Sequence, residues 1–158
     1  MTMRSIGRLL LCLAICLGIG VVGSLSTKPE IAGWYAGLAK PFWTPPPLVF
    51  PIAWTALYIL MAIAFWRLWD RTAPSMERSR AMTLFGVQLV LNAAWSPVFF
   101  GWHGIRTGLV IIALMVVAIA ATILSASRVD RIAGWLLVPY LCWVLYASTI
   151  NAGVVALN

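Results

Sequence analysis

Long apolar stretches alternate along the chain with short segments that carry nearly all of its charge. Centred on windows almost free of charge, five spans fall at about 6–26, 48–68, 80–100, 106–126 and 132–156, with an aromatic segment, 27–47, between the first two. Each span is close to the roughly 20 residues that cross a bilayer core as a helix. Runs such as GLVIIALMVVAIAA, residues 108–121, do not alternate, which excludes the two-residue period of a barrel strand. The pattern predicts an all-α membrane protein, a single five-transmembrane-helix bundle over residues 1–158.

Local signals place the ends of these elements. Arg4 and Arg8 precede the first span, and Gly23, Ser24 and Ser26 lie near its end, as they would in a signal peptide. The span is long enough to cross the bilayer and is followed by nothing polar enough for a mature N-terminus, so a retained helix is favoured. Ala14 with Gly18 and Gly20 with Ser24 have the four-residue spacing that lets helix backbones approach closely. Thr44 is positioned to cap the second helix with prolines in its first turn, which leaves Pro51 as either a start or a kink. Arg67, Asp70, Arg71, Glu77, Arg78 and Arg80, with Pro74, read as a charged loop. Gly101, His103 and Gly104 read as a tight turn, and Arg128, Asp130 and Arg131 as a short loop.

Charge then orients the bundle. Arg4, Arg8, Arg67, Arg71, Arg78, Arg80, Arg128 and Arg131 fall on one side, against Lys28, Lys40 and Arg106 on the other. Basic residues accumulate on the cytoplasmic side, so in a plasma membrane the N-terminus is cytoplasmic and the aromatic segment outside. The net charge of +7 therefore reflects topology and lipid headgroups rather than nucleic acid. Composition agrees: 63% of residues are hydrophobic and 9% charged, against about 25% charged in soluble domains. Cys12, Cys16 and Cys142 lie in apolar runs with no acid or histidine nearby, the setting of small buried hydrophobes rather than of a metal site.

The candidate chemistry is aromatic. Glu30, Asp70, Glu77 and Asp130 all lie at loops or span ends, so the chain lacks the intramembrane carboxylate of a proton-coupled transporter. No pair of carboxylates and no Ser/His/Asp set can be assembled for hydrolysis. What the spans hold instead is rings and amides. Gln88, Asn92, Trp95 and Phe99 share one helix face in the third span, and Tyr140, Trp143, Ala147 and Asn151 share one in the fifth. Trp54 and Tyr58 share a face in the second. An amide in lipid needs a partner, so these faces point inward. Pro97 and Pro139 each remove a helical hydrogen bond and bend their spans, which favours a cavity. The aromatic segment, with Trp34, Tyr35, Phe42 and Trp43 on a proline-stiffened backbone, reads as its lid. A mostly apolar pocket with few polar anchors suits a large flat hydrophobe.

Three blocks carry a resemblance. WYAGLAKPFWTPP followed by WTALY resembles the first loop and second helix of the translocator protein family, whose bacterial members are tryptophan-rich sensory proteins. QLVLNAAWSPVFFG resembles that family's third helix, and VPYLCWVLYASTIN its fifth. The resemblance implies a homodimeric five-helix bundle in the lipid bilayer that binds porphyrin-type tetrapyrroles such as protoporphyrin IX, with no other cofactor required. By position the pocket would take Trp34 and Trp43 from the loop, Trp54 from the second helix, Asn92, Trp95 and Phe99 from the third, and Trp143, Ala147 and Asn151 from the fifth. Tyr58 and Gln88 join them on the same faces. Trp54 and Trp143 match tryptophans proposed to act in light-dependent porphyrin breakdown, so they are catalytic candidates if the protein is a photo-oxidase. Animal members also bind cholesterol through a tyrosine and a basic residue just after the position of Asn151. Here the chain reads Ala152-Gly153-Val154-Val155, so sterol binding by that motif is weak at best. The implied roles are a tetrapyrrole receptor or carrier, a porphyrin-degrading enzyme, or a structural or regulatory membrane subunit.

Overall fold

The computed structural model describes residues 2–158, and the helices account for most of them. They are α1 (Met3–Ile31), a four-residue α2 (Trp34–Gly37), α3 (Val49–Asp70), α4 (Met76–Ser96), α5 (Ile105–Val129) and α6 (Arg131–Leu157). Among the described residues five helices are long and apolar enough to cross a membrane, α4 counted together with the π-turn that extends it over Pro97–Gly101. This is an integral, multi-pass membrane protein. The helices pack in the order α1, α3, α6, α5, α4 and back to α1.

Helices outrun their apolar windows, because a helix continues into the interface wherever its end is capped. Thr2 caps α1 by accepting from the Ser5 amide at 3.2 Å, and the helix carries Lys28 and Pro29 into its last turn. The segment expected to be a charged loop is mostly helical. Arg67 and Asp70 close α3, Glu77, Arg78 and Arg80 open α4, and Ser75 caps α4 by accepting from the Arg78 amide. Arg78 in turn donates to the Leu68 and Trp69 carbonyls at 3.0 and 2.7 Å, satisfying the end of α3. Between α5 and α6 only Asp130 is non-helical, and its carboxylate caps α6 by accepting from the Ile132 and Ala133 amides.

Three proline positions resolve differently. Thr44 does not cap α3; its hydroxyl turns back to the Pro41 carbonyl at 2.8 Å, and the helix begins at Val49. Pro51 therefore sits in the first turn, where a missing N–H costs nothing. Pro97 does not simply kink its helix. It opens a π-turn closed by the Trp102 amide on the Pro97 carbonyl at 3.0 Å, a wider ring that accommodates the missing donor. Pro139 lies inside an unbroken α6.

The two ends of the bundle are pinned by polar contacts, ionic at one of them. At the arginine-rich end Asp70 accepts from Ser5 at 2.6 Å and Arg8 at 2.9 Å, tying α1 to α3, and Arg67 reaches Asp130 at 2.9 Å, tying α3 to α6. At the other end His103 meets Glu30 at 2.9 Å, and Asn158 exchanges two hydrogen bonds with Ala39. Residues 2 and 158 thus lie at opposite ends. Between them the core is buried apolar packing, including the stacked pair Phe65 and Phe85 at 4.7 Å. Of the predicted close approaches, Gly20 is used: a Cβ there would lie 2.7 Å from the Tyr58 ring. Gly18 has nothing within 4 Å.

Candidate functional site

Asn92 stands at the centre of the bundle. Its side-chain oxygen accepts from the Tyr58 hydroxyl at 2.7 Å, and its nitrogen donates to the Tyr140 hydroxyl at 2.9 Å. Tyr140 passes its own proton toward the Met115 sulfur at 3.4 Å. One amide so joins α3, α4, α6 and α5 through buried groups. Trp54 caps this network from the side: it stacks on Tyr58 at 5.4 Å, meets Tyr140 edge-on at 6.2 Å, and lies 6.5 Å from Trp143 at 86°.

A second cluster lies toward the end that carries the aromatic segment. Trp95 stacks on Phe99 at 4.9 Å and donates to the Asn151 oxygen at 3.3 Å, while the Asn151 nitrogen donates to the Ile105 carbonyl at 2.9 Å. The π-turn buries Val98, Phe99 and Phe100. Gly108 leaves room for both side chains: a Cβ there would lie 3.0 Å from the Phe99 ring and 3.3 Å from the Asn151 oxygen. Trp34 covers Phe99 edge-on at 5.7 Å and stacks on His103 at 4.2 Å. His103 holds φ 54°, a left-handed value that turns the chain sharply into α5.

The aromatic segment is docked as a strap across these clusters. Pro41 packs on Gly153 so tightly that a Cβ on the glycine would lie 2.7 Å from the proline ring. Lys40 folds its ammonium onto the Tyr35 and Leu38 carbonyls at 2.6 and 2.8 Å. Trp43 donates to the Thr149 hydroxyl at 3.2 Å, and its carbonyl accepts from Tyr146 at 2.6 Å. The Trp43 ring itself stays 41% exposed.

The candidate residues thus divide. Trp54, Tyr58, Asn92 and Trp143 come together at the centre, and Trp34, Trp95, Phe99 and Asn151 in the adjoining cluster. Ala147 is half-buried against the core. Trp43 stands apart, over Thr149 and Tyr146. Gln88 is buried at 1% exposure, and neither of its amide atoms has a partner; the Trp143 indole N–H is also buried and unpaired. Such groups stabilise the protein only when something bonds to them.

Beside Trp143 a groove of about 530 Å³ opens between α3 and α6, lined by Ala53, Leu57, Leu60, Pro139, Trp143 and Tyr146. It is shallow and largely open, an apolar surface groove and not an enclosed cavity. Phe50, which meets Trp143 edge-on at 5.9 Å, and Tyr146, at 5.8 Å, complete its aromatic rim. These two escaped the sequence reading, although Phe50 is four residues before Trp54 and Tyr146 three after Trp143, the spacing of a shared face. Met115 gave no signal, since a methionine in an aliphatic span looks like packing.

The order of the blocks, the ring clusters they form and the five helices that carry them coincide with one known group. The model of the TspO/MBR family matches residues 12–157. The chain belongs to the TspO/MBR family. It is similar to the tryptophan-rich protein TspO of Chlorobaculum tepidum, 40% identical over 98% of each chain. It is also similar to the tryptophan-rich sensory protein of Cereibacter sphaeroides, 38% identical over 92% of this chain and 88% of that one. The translocator protein of Homo sapiens is 37% identical over 82% of this chain and 78% of its own. In this TspO/MBR chain the blocks that carry the resemblance are those that build the central network and the strap.

Proposed function

We propose that the protein is a membrane receptor or carrier for porphyrin-type tetrapyrroles, bound between α3 and α6 with the aromatic strap closing over the site. The observation that carries this reading is the groove of about 530 Å³ whose wall is Trp143, backed by Trp54 at 6.5 Å. A porphyrin is a flat aromatic disc with polar edges. Its faces would stack on the Trp143 indole, and the buried, unpaired Trp143 N–H would gain a partner only if binding moved the ring. Gln88, also unpaired, is a second candidate anchor if binding opens the bundle toward α4. Trp43 and Tyr146, linked across the strap and α6, sit where the strap would follow the ligand in.

One observation favours a second reading for the same site. Two indoles at right angles, 6.5 Å apart beside the groove, place oxidisable rings next to a bound photosensitiser. Under light and oxygen the protein would then degrade the porphyrin instead of only holding it. The test of the primary reading is titration of the purified protein with protoporphyrin IX, followed by tryptophan quenching. Saturable quenching at one ligand per chain, weakened by bulky substitution at the groove in Ala53→Trp, is the expected result. Quenching that rises without saturation, or that Ala53→Trp leaves unchanged, overturns it.

A further inference from the structure

A second groove lies at the opposite end of the bundle from the strap. It has a volume of about 500 Å³ and runs between α5 and α6, lined by Ile123, Ser127, Arg128, Arg131, Trp135 and Val138. Its floor is tight because Gly134 lies directly against Ser127, where any Cβ would collide with the serine hydroxyl. Two cations therefore flank one slot, three residues apart across the α5–α6 turn.

Those cations are not spent on the protein. Asp130, the acid between them in sequence, is turned away: it pairs with Arg67 at 2.9 and 3.3 Å and caps the first amides of α6. Asp70 is held by Arg8 and Ser5, and Glu30 by His103 at the far end. Among the described residues neither Arg128 nor Arg131 forms an ion pair, and the Ser127 hydroxyl makes no hydrogen bond. The rest of the groove is apolar. Trp135 is 72% exposed on the outer face one turn into α6, the level at which indole anchors a helix at the membrane interface. Leu124 and Ile132 extend the exposed apolar surface beside it.

We infer that this groove binds the headgroup of an anionic phospholipid from the arginine-rich, cytoplasm-type leaflet. The phosphate takes the two guanidinium forks and the Ser127 hydroxyl, and an acyl chain lies along Trp135 and Val138. Arginine matches a phosphate with paired, parallel donors, and basic slots between helices on this side of a membrane suit anionic headgroups. The apolar wall continuous with the charged mouth selects a lipid over free phosphate, which has no chain to place there.

Native mass spectrometry of the full-length protein in detergent tests the assignment, with dioleoyl phosphatidylglycerol and dioleoyl phosphatidylcholine offered at equal concentration. The wild type retains phosphatidylglycerol in preference, and Arg128→Gln/Arg131→Gln lowers that preference by on the order of 25-fold, each arginine near an anionic surface contributing a factor of about five. Arg4→Gln/Arg80→Gln removes the same charge from exposed positions outside the groove and keeps the preference. Equal retention of the two lipids by the wild type overturns the proposal. So does an equal loss in the two double variants, which would mean that net charge alone recruits the lipid.

Discussion

Asn92 and Trp43 were read from sequence as parts of one pocket, yet the molecule holds them in opposite ways. Asn92 is 6% exposed and fixed by two phenols at 2.7 and 2.9 Å, which belong to two other helices. Trp43 is 41% exposed; its ring is held by a hydrogen bond to Thr149 and an edge contact with Phe42, itself 95% exposed, and its carbonyl accepts from Tyr146 at 2.6 Å. The Asn92 network is thus assembled with its polar groups paired inside the bundle, while the strap is seated at the end of the bundle by Pro41 on Gly153 and by hydrogen bonds that lie at the surface. Regions with few buried contacts open at low free-energy cost. The amide network joins α3, α4 and α6, and the strap, whose hydrogen bonds lie at the surface, is the region expected to open first.

The comparison is broken most severely at Asn92. Asn92→Ala leaves the Tyr58 hydroxyl without an acceptor and strips Tyr140 of a donor, both in a buried setting. The expected loss of stability is about 2–4 kcal/mol, since each orphaned buried group costs roughly 1–3 kcal/mol. Thr122→Ala is the reference. Thr122 is also fully buried, but its hydroxyl bonds only to the Ala118 carbonyl of its own helix at 2.7 Å, so its loss costs under about 1 kcal/mol. Thermal unfolding in detergent compares the two, and porphyrin titration should rank them in the same order. Equal destabilisation would mean that the network is no stiffer than ordinary helix packing.

Gly153 tests the strap from the other side. Gly153→Leu puts a branched side chain where Pro41 already lies within 2.7 Å of a mere Cβ, and a proline ring has no rotamer with which to yield. The strap must unseat, at a cost of about 1–3 kcal/mol by the usual penalty for overpacking. Hydrogen exchange should then rise in residues 34–43 while the amides around Asn92 stay protected. Exchange rising in both regions together would join strap and centre into one cooperative unit.

How much of this was legible beforehand differs by region for the same physical reason. Helix number and side-chain faces follow from hydrophobicity and a 3.6-residue period, so Gln88, Asn92 and Trp95 on α4, and Tyr140 and Asn151 on α6, could be aligned before any contact was known. What periodicity cannot carry is a change of period. The π-turn at Pro97–Gly101, closed by the Trp102 amide on the Pro97 carbonyl, is a wider ring that a 3.6-residue period does not anticipate. Nor can it carry pairing. That Asp130 serves Arg67 and so leaves Arg128 and Arg131 free depends on which helices lie side by side. Helix ends were misread where charge was equated with loop: Arg67, Asp70 and Arg78 prolong helices by bonding to the neighbouring ends and sides.

The smallest expected effect, and the one that separates holding a porphyrin from destroying it, concerns Trp54 and Trp143. Their settings differ although they are neighbours. Trp54 stacks on Tyr58 at 5.4 Å and braces the central network, so Trp54→Phe should cost about 0.5–1.5 kcal/mol of stability from lost ring contact. Trp143 carries a buried N–H without a partner, and phenylalanine removes that group along with part of the ring. The two losses offset, so Trp143→Phe should leave the empty protein within about 0.5 kcal/mol of the wild type. If that N–H bonds to a ligand, Trp143→Phe weakens porphyrin binding by more than it changes stability, which calorimetry and titration on the same preparation resolve. Porphyrin decay is then followed under constant illumination at saturating ligand for the wild type, both single variants and the double. A receptor gives the same decay in all four, because stacking rings are interchangeable in kind. A photo-oxidase gives decay that stops with the indoles while binding persists, because phenylalanine is far harder to oxidise. Decay lost in Trp143→Phe alone would place the reacting indole on the groove wall, with Trp54 confined to bracing the network behind it.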